Sequence, residues 1–218
     1  DPAHPALGLA CYQQGELHRL RGQAAEADRA YRAALEHGRE PEPGLALLWL
    51  AEGNVEAAVA AVRRMLQETG GPASVCGIRA AAVEILLAAG DVAGARAAAE
   101  ELTRAVDAID APLLRTIADA ARGAVLLAED DAAGAIGSFR RARAGWHDLR
   151  MPYEEALARV GIAQACLGLA DRNAAELELD AAKATFERLG ARPALARVAR
   201  LTGRRLRPSV LTERECEV

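Results

Sequence analysis

The stretch G-Q-A-A-E-A-D-R-A-Y-R-A-A-L, residues 22–35, decides the fold. It opens on a glycine, which favours a turn, and continues with apolar side chains at helical spacing. The pattern predicts a tight turn and then an amphipathic helix that buries one face. The residues predicted to form that face are Ala27, Ala30, Tyr31, Ala34 and Leu35.

The same turn pattern, a small or acidic residue followed by Ala five positions later, recurs five times along the chain. Successive turns are 31, 37, 40 and 40 residues apart. Apolar residues of helical period flank each turn, as Ala135, Ile136, Phe139 and Ala142 do, so each unit is predicted to be a helix hairpin. A single hairpin cannot bury its apolar face, so neighbouring hairpins must stack. The five turns are Gly22…Ala27, Gly53…Ala58, Gly90…Ala95, Asp130…Ala135 and Ala170…Ala175.

The composition supports an all-α fold. The 218 residues include 53 Ala and 28 Leu, both strong helix formers, and 51% of the residues are hydrophobic. No stretch of 18 apolar residues occurs, so no membrane span is predicted. The first residues have no basic segment typical of a signal peptide, and the four Cys are widely spaced. We therefore expect a cytoplasmic protein with reduced thiols.

Glycine and proline mark the predicted boundaries between hairpins. Helix breakers lie between the first and second units and between the second and third, and a proline opens the first helix of the fourth and fifth. A glycine after the fifth unit ends its last helix, and a final helix over residues 193–203 is predicted to cap the stack. The markers are Glu40–Gly44, Thr69–Pro72, Pro112, Pro152 and Gly190.

Charge is unevenly distributed. Residues 1–187 carry a net charge of −9, whereas residues 188–210 contain seven Arg and no acid. The acidic body is a poor surface for phosphates, so the arginines are the only candidate for a nucleic-acid contact. The simpler interpretation is a solvated final helix.

Motifs for catalysis or metal binding were not found. The three Ser lie outside any nucleophile elbow, no phosphate-binding loop occurs, and the four His show no metal-ligand spacing. The sequence therefore predicts neither enzymatic activity nor a cofactor, a catalytic residue or a metal site.

Trp146 and Tyr153 bound the segment richest in aromatics. This segment is either a partner contact or, as we favour, a contact between the two rings that joins units four and five.

The hairpins resemble the tetratricopeptide repeat (TPR). The resemblance is best in the first unit, at Gly15, Gly22, Ala27, Tyr31, Ala34 and Leu35, and extends in degenerate form over residues 7–190. It implies a right-handed α-solenoid of about five TPR-like hairpins plus a C-terminal capping helix. In such repeats the first helix of a unit lines a concave groove, so the resemblance makes Tyr12, Glu16 and Arg19 groove residues for a peptide or small ligand.

The last eight residues begin a helix that the sequence does not complete. Thr212 and Glu215 form a capping box, but only six residues follow Thr212, too few for a stable helix. We therefore expect the natural chain to continue.

The octet also resembles the opening of the helix-turn-helix domain of LuxR-type transcription regulators. The residues that carry this resemblance are Leu211, Thr212, Arg214, Glu215, Glu217 and Val218. It implies a TPR-like domain over 1–190, a capping helix and Arg-rich linker over 191–210, and the start of a truncated DNA-binding domain over 211–218. It also implies a protein partner or small effector in the groove, promoter DNA bound only by the missing domain, no membrane, and a homodimer as one arrangement. The alternative left open is a stand-alone TPR-like adaptor.

Overall fold

The computed structural model describes residues 5–68, 72–107 and 111–203. These ranges contain eleven α-helices and no β-strand. The predicted all-α class is therefore confirmed, while the C-terminal octet lies outside the described residues. In chain order the helices are α1 (Pro5–Arg21), α2 (Ala24–Glu36), α3 (Gly44–Ala51), α4 (Val55–Gln67), α5 (Pro72–Ala88), α6 (Val92–Asp107), α7 (Pro112–Ala128), α8 (Ala132–Asp148), α9 (Pro152–Gly168), α10 (Arg172–Leu189) and α11 (Arg192–Gly203).

All five predicted turns are left-handed helix ends. At the first, the Gly22 amide donates to the Arg19 carbonyl (3.0 Å) and the next amide, of Gln23, donates to that of His18 (2.9 Å). The same two bonds recur at the other four turns, and they end a helix in a Schellman motif. The φ angles are 73° at Gly22, 85° at Gly53, 79° at Gly90, 62° at Asp130 and 59° at Ala170.

The alanine five positions after each turn residue is completely buried. Ala27, Ala58, Ala95, Ala135 and Ala175 are all 0% exposed. An alanine at this place lets the second helix of a hairpin return close to the first, because its side chain is only a methyl group. The recurring turn pattern therefore corresponds to one repeated piece of structure.

Large and small side chains alternate where the two helices of a hairpin cross. A Cβ placed on Gly15 of α1 would lie 2.6 Å from the Tyr31 ring of α2, and a Cβ on Gly123 of α7 would lie 2.9 Å from the Phe139 ring of α8. Both glycines therefore make room for an aromatic ring. At the same register the fifth hairpin has the buried pair Ala163 and Leu179.

One predicted core residue lies elsewhere. Leu35 is 53% exposed, whereas Ala27, Tyr31 and Ala34 are 0% exposed. These three are spaced i, i+4 and i+7 and face α1, and Leu35 is one residue further round the helix. The predicted apolar face was therefore too wide by this residue.

The predicted contact between Trp146 and Tyr153 is wrong. Trp146 is buried with Ala158 of α9, so it does join the fourth and fifth units. Tyr153 belongs to a different cluster and packs on Phe186 of α10, with ring centroids 5.6 Å apart. Tyr153 is the second residue of α9 and packs within its own hairpin.

The odd-numbered helices form a closed ring. Each contacts the next odd-numbered helix, from α1 to α3 and onward to α11, and α11 contacts α1. Each even-numbered helix packs on the odd-numbered helices before and after it. In the described parts of the chain no two even-numbered helices pack backbone against backbone, although Arg143 of α8 reaches Glu178 of α10 in an ion pair of 2.8 Å. The ring is therefore an inner layer of six helices behind five outer ones. None of the described helices is both long and apolar enough to cross a membrane.

Candidate functional site

The three predicted groove residues share one face of α1. Tyr12, Glu16 and Arg19 are spaced i, i+4 and i+7, and all three are partly buried. The Arg19 side chain is 17% exposed and that of Glu16 is 23% exposed. The structure thus brings these three residues together on α1, which is the first helix of its hairpin and belongs to the inner ring.

Glu16 is the centre of the cluster. Its Oε2 accepts from Arg19 Nη2 at 2.6 Å and its Oε1 from Arg19 Nε at 3.4 Å. The hydroxyl of Tyr31, whose residue is wholly buried, donates to the same Oε1. A carboxylate held by a guanidinium and a phenol is the usual way to keep a partly buried charge satisfied.

Tyr12 extends the cluster towards the loop after α2. Its ring lies 5.8 Å from the Tyr31 ring, tilted by 54°. The Arg39 guanidinium carbon is 5.1 Å from the centroid of the Tyr12 ring, a cation–π distance. Tyr12 therefore connects the ion pair on α1 to a second arginine.

Gly44, the first residue of α3, closes over this cluster. A Cβ at Gly44 would collide with the Glu16 carboxylate and would lie 2.6 Å from the Tyr31 hydroxyl oxygen. Only a glycine allows α3 to begin so close to these polar atoms. The cluster is thus formed by α1, α2 and α3 together.

Burial and charge shift the ionisation of this site. Burial, and then the negative charge of Glu16, raise the pKa of Tyr12 to about 12. The same two causes raise the pKa of Tyr31. Burial works to lower the pKa of Arg19, but its hydrogen bond and charge interaction with Glu16 outweigh that effect and raise it. The phenols of the site therefore stay neutral and Arg19 stays charged well above neutral pH.

Residues from distant units interact electrostatically with this cluster. Arg19 of α1 interacts electrostatically with Glu84 of α5, and Tyr153 of α9 interacts with both. Arg197 of α11 also acts on Tyr153, whose pKa is raised to about 12, chiefly by burial. Arg197 donates from Nη2 to Gln164 Oε1 at 2.7 Å. Polar groups of four odd-numbered helices, α1, α5, α9 and α11, are therefore close enough to influence one another.

Glu84 and Tyr153, which come from distant units, were not predicted from the sequence as residues of this site. Glu84 is an isolated acid in an apolar helix, and no motif marked it as functional. Tyr153 was noted, but as a partner of Trp146. Their approach to Arg19 depends on the closure of the ring, which the spacing of the repeats does not encode.

The described residues contain no group of three or more His, Cys, Asp or Glu side chains placed to hold a metal ion. Cys11, Cys76 and Cys166 are free thiols, and the latter two are buried. The site can recognise a polar group by charge and hydrogen bonding.

Comparisons with known proteins give no match: no protein-family model, no curated protein and no solved structure is significantly similar to this chain.

Proposed function

We propose that the chain is the signal-receiving helical-repeat region of a LuxR-type bacterial transcription regulator, acting in the cytoplasm. The observation that carries the proposal is the octet that follows the repeats, Leu211–Val218, with its likeness to the start of a helix-turn-helix domain. In this view the described helices receive a signal and a DNA-binding domain after residue 218 responds to it. The chain itself performs no catalysis.

The repeat structure supports the TPR-like part of the proposal. Five hairpins share one left-handed turn and one fully buried alanine, and a single helix follows them. A repeated hairpin of this kind provides a scaffold for recognition, because the inner helices present successive residues to one interior. We propose that it is a TPR-like solenoid whose units close on themselves.

The interior cluster supports the receiving role. Arg19 and Glu84 carry opposite charges on different units, and both interact electrostatically with Tyr153. A polar effector or an extended peptide bound there would contact several units at once. Such a ligand shifts the populations of ring conformations if it binds one of them more tightly.

The test begins with the reading frame downstream of residue 218. We expect a helix-turn-helix sequence there, and we expect the longer protein to protect a promoter fragment in footprinting. The matched control is residues 1–203 alone, which should give no specific protection. A stop codon directly after Val218, or a continuation without a helix-turn-helix sequence, would refute the proposal.

The second candidate is a stand-alone TPR-like adaptor, which the polar interior would equally serve. It predicts one protein partner in affinity purification, retained when residues 204–218 are deleted. Replacing Arg19 with Gln should weaken the binding of that partner, whereas replacing the exposed Arg172 of the outer layer with Gln should leave the binding unchanged.

A further inference from the structure

The six junctions between neighbouring odd-numbered helices differ in their support. Five of them, from α1–α3 to α9–α11, have an even-numbered helix packed on both members. The sixth, between α1 and α11, has no such helix among the described residues. We call this sixth junction the seam.

The contact at the seam joins the end of α1 to the start of α11. A Cβ placed on Gly22 would lie 3.1 Å from Pro193 Cγ and 3.8 Å from Arg192 Cβ, so the end of α1 touches the start of α11. Arg21 and Arg192, both exposed, bring like charges to this contact.

Local opening follows the weakest set of contacts in a structure. A junction held on two faces loses two interfaces when it separates, whereas the seam loses only one. We infer that the ring opens reversibly at the seam, with α11 moving away from α1 while the five hairpins stay paired.

Opening changes the interior. It separates Arg19 of α1 from Arg197 of α11, two charges that both act on Tyr153 in the closed ring. A ligand that bridges α1 and α11 would favour the closed ring by its differential affinity. The additional step, that movement of α11 repositions a DNA-binding domain, rests on the proposed function.

The experiment measures distances across two junctions by double electron–electron resonance. In a background with the four native Cys replaced by Ala, spin labels at Gln14→Cys and Arg200→Cys report on the seam. Labels at Gln14→Cys and Glu52→Cys report on the α1–α3 junction, which α2 supports. We expect two distances for the seam pair and one for the control pair.

A variant that weakens the seam completes the test. Pro193→Arg adds a third positive charge beside Gly22 and should raise the longer-distance fraction at least about twofold, leaving the control pair unchanged. Pro193→Ala removes the proline side-chain carbons beside Gly22 without adding a charge, and it should act in the same direction to a smaller extent. Circular dichroism checks that both variants keep the helical content of the parent.

A single distance for the seam pair would overturn the inference. A longer component that neither Pro193 variant increases, or an equal change in the control pair, would do the same. These distances are independent of any domain beyond residue 218. Failure of the proposed DNA-binding role would therefore leave them unaffected, and the two failures are distinguishable.

Discussion

The first hairpin, α1–α2, and the fifth, α9–α10, have the same turn but stabilise it with different side chains. The first uses Gly22 in the left-handed position, and its turn carries no side-chain cap. The fifth has Ala170 there, and Asp171 accepts a hydrogen bond from the Ala174 amide at 3.0 Å. The backbone conformation is thus shared, while the residues that stabilise it vary.

The polar contacts of the two hairpins differ in the same way. Glu16 in the first accepts from Arg19 and from wholly buried Tyr31. Glu178 in the fifth accepts from Arg143 at 2.8 Å and from Arg159 at 2.9 Å, and both arginines reach solvent. The two carboxylates are similarly buried, 23% exposed at Glu16 and 19% at Glu178, so the hairpins differ in the partners: one arginine and a buried phenol in the first, and two partly exposed arginines in the fifth. Comparing one part of the ring with another yields testable differences in stability.

The largest expected effect comes from joining the two ends of the ring. In Gly22→Cys/Arg192→Cys the two Cβ atoms would be 3.8 Å apart, a normal disulfide separation. Closing a loop of roughly 170 residues should raise the free energy of unfolding by about 4 kcal/mol, after the strain of a cysteine at positive φ. Thermal and urea unfolding of the oxidised and reduced forms measure it.

The control for this bond is Gly53→Cys/Arg192→Cys. Gly53 has the same turn conformation, and a Cβ there would have no atom within 4 Å. No intramolecular disulfide should form in the control. If peptide mapping found the bond equally in both variants, the closed ring would be wrong.

The next largest effect compares the two carboxylates through their partners. Glu16→Ala leaves Arg19 and the Tyr31 hydroxyl without their acceptor and should lower the free energy of unfolding by about 3 kcal/mol. Glu178→Ala leaves two arginines that are 34% and 27% exposed and can turn towards water, and it should cost about 1 kcal/mol. Urea denaturation compares them, and equal losses would remove the distinction between the two hairpins.

A third experiment converts the large–small pair of the fourth hairpin into that of the fifth. Gly123→Ala crowds the Phe139 ring and Phe139→Leu leaves a gap, so each should cost about 2 kcal/mol. The double variant reproduces the Ala163–Leu179 combination and should regain at least about 1 kcal/mol of the summed loss. Strict additivity of the two losses would show that these residues do not compensate each other.

The raised pKa values of the tyrosines predict a smaller effect, a loss of folding stability at high pH. The pKa values of Tyr12 and Tyr153 are raised to about 12, above the ordinary value near 10. Because the folded pKa exceeds the unfolded one, this stabilisation is complete below pH 10 and is lost between pH 10 and 12, by about 1.5 kcal/mol. Absorbance at 295 nm should show no tyrosine ionising at pH 10 in the native protein. A native transition at pH 10 would contradict the burial of these rings.

The smallest effect concerns the turns. Ala170 is exposed with φ of 59°, a conformation that costs an L-residue about 1 kcal/mol relative to glycine. Ala170→Gly should therefore raise the melting temperature, whereas Gly53→Ala, at φ of 85°, should lower it. Calorimetry of this matched pair tests the shared turn, and shifts of the same sign would exclude it.

Local features of the fold were predictable because neighbouring residues determine them. A glycine or aspartate followed by Ala five positions later defines the turn and the buried contact within about ten residues. Pro112 and Pro152 begin helices as expected. The face shared by Tyr12, Glu16 and Arg19 follows from helical spacing alone.

Long-range features were not predictable from the same patterns. The meeting of Gly22 with Pro193 is the sum of small rotations between successive units, and no single residue encodes them. Likewise, the bond from Tyr31 to Glu16 depends on how α2 crosses α1, and the approach of Gly44 depends on where α3 begins. The contacts that Tyr31 and Gly44 make with Glu16 therefore could be identified only from the arrangement of the helices.

The return of α11 to α1 restricts how this architecture can change in length. An open row of helix pairs can grow by duplication of one pair, because a new unit needs only a neighbour on each side. In a closed arrangement, inserting a helix pair would require a change in the rotation between every two neighbouring pairs. Deleting one would leave a gap that the remaining pairs cannot span. Variation in the lineage of such a protein is therefore expected in loops and side chains, with the number of pairs held constant.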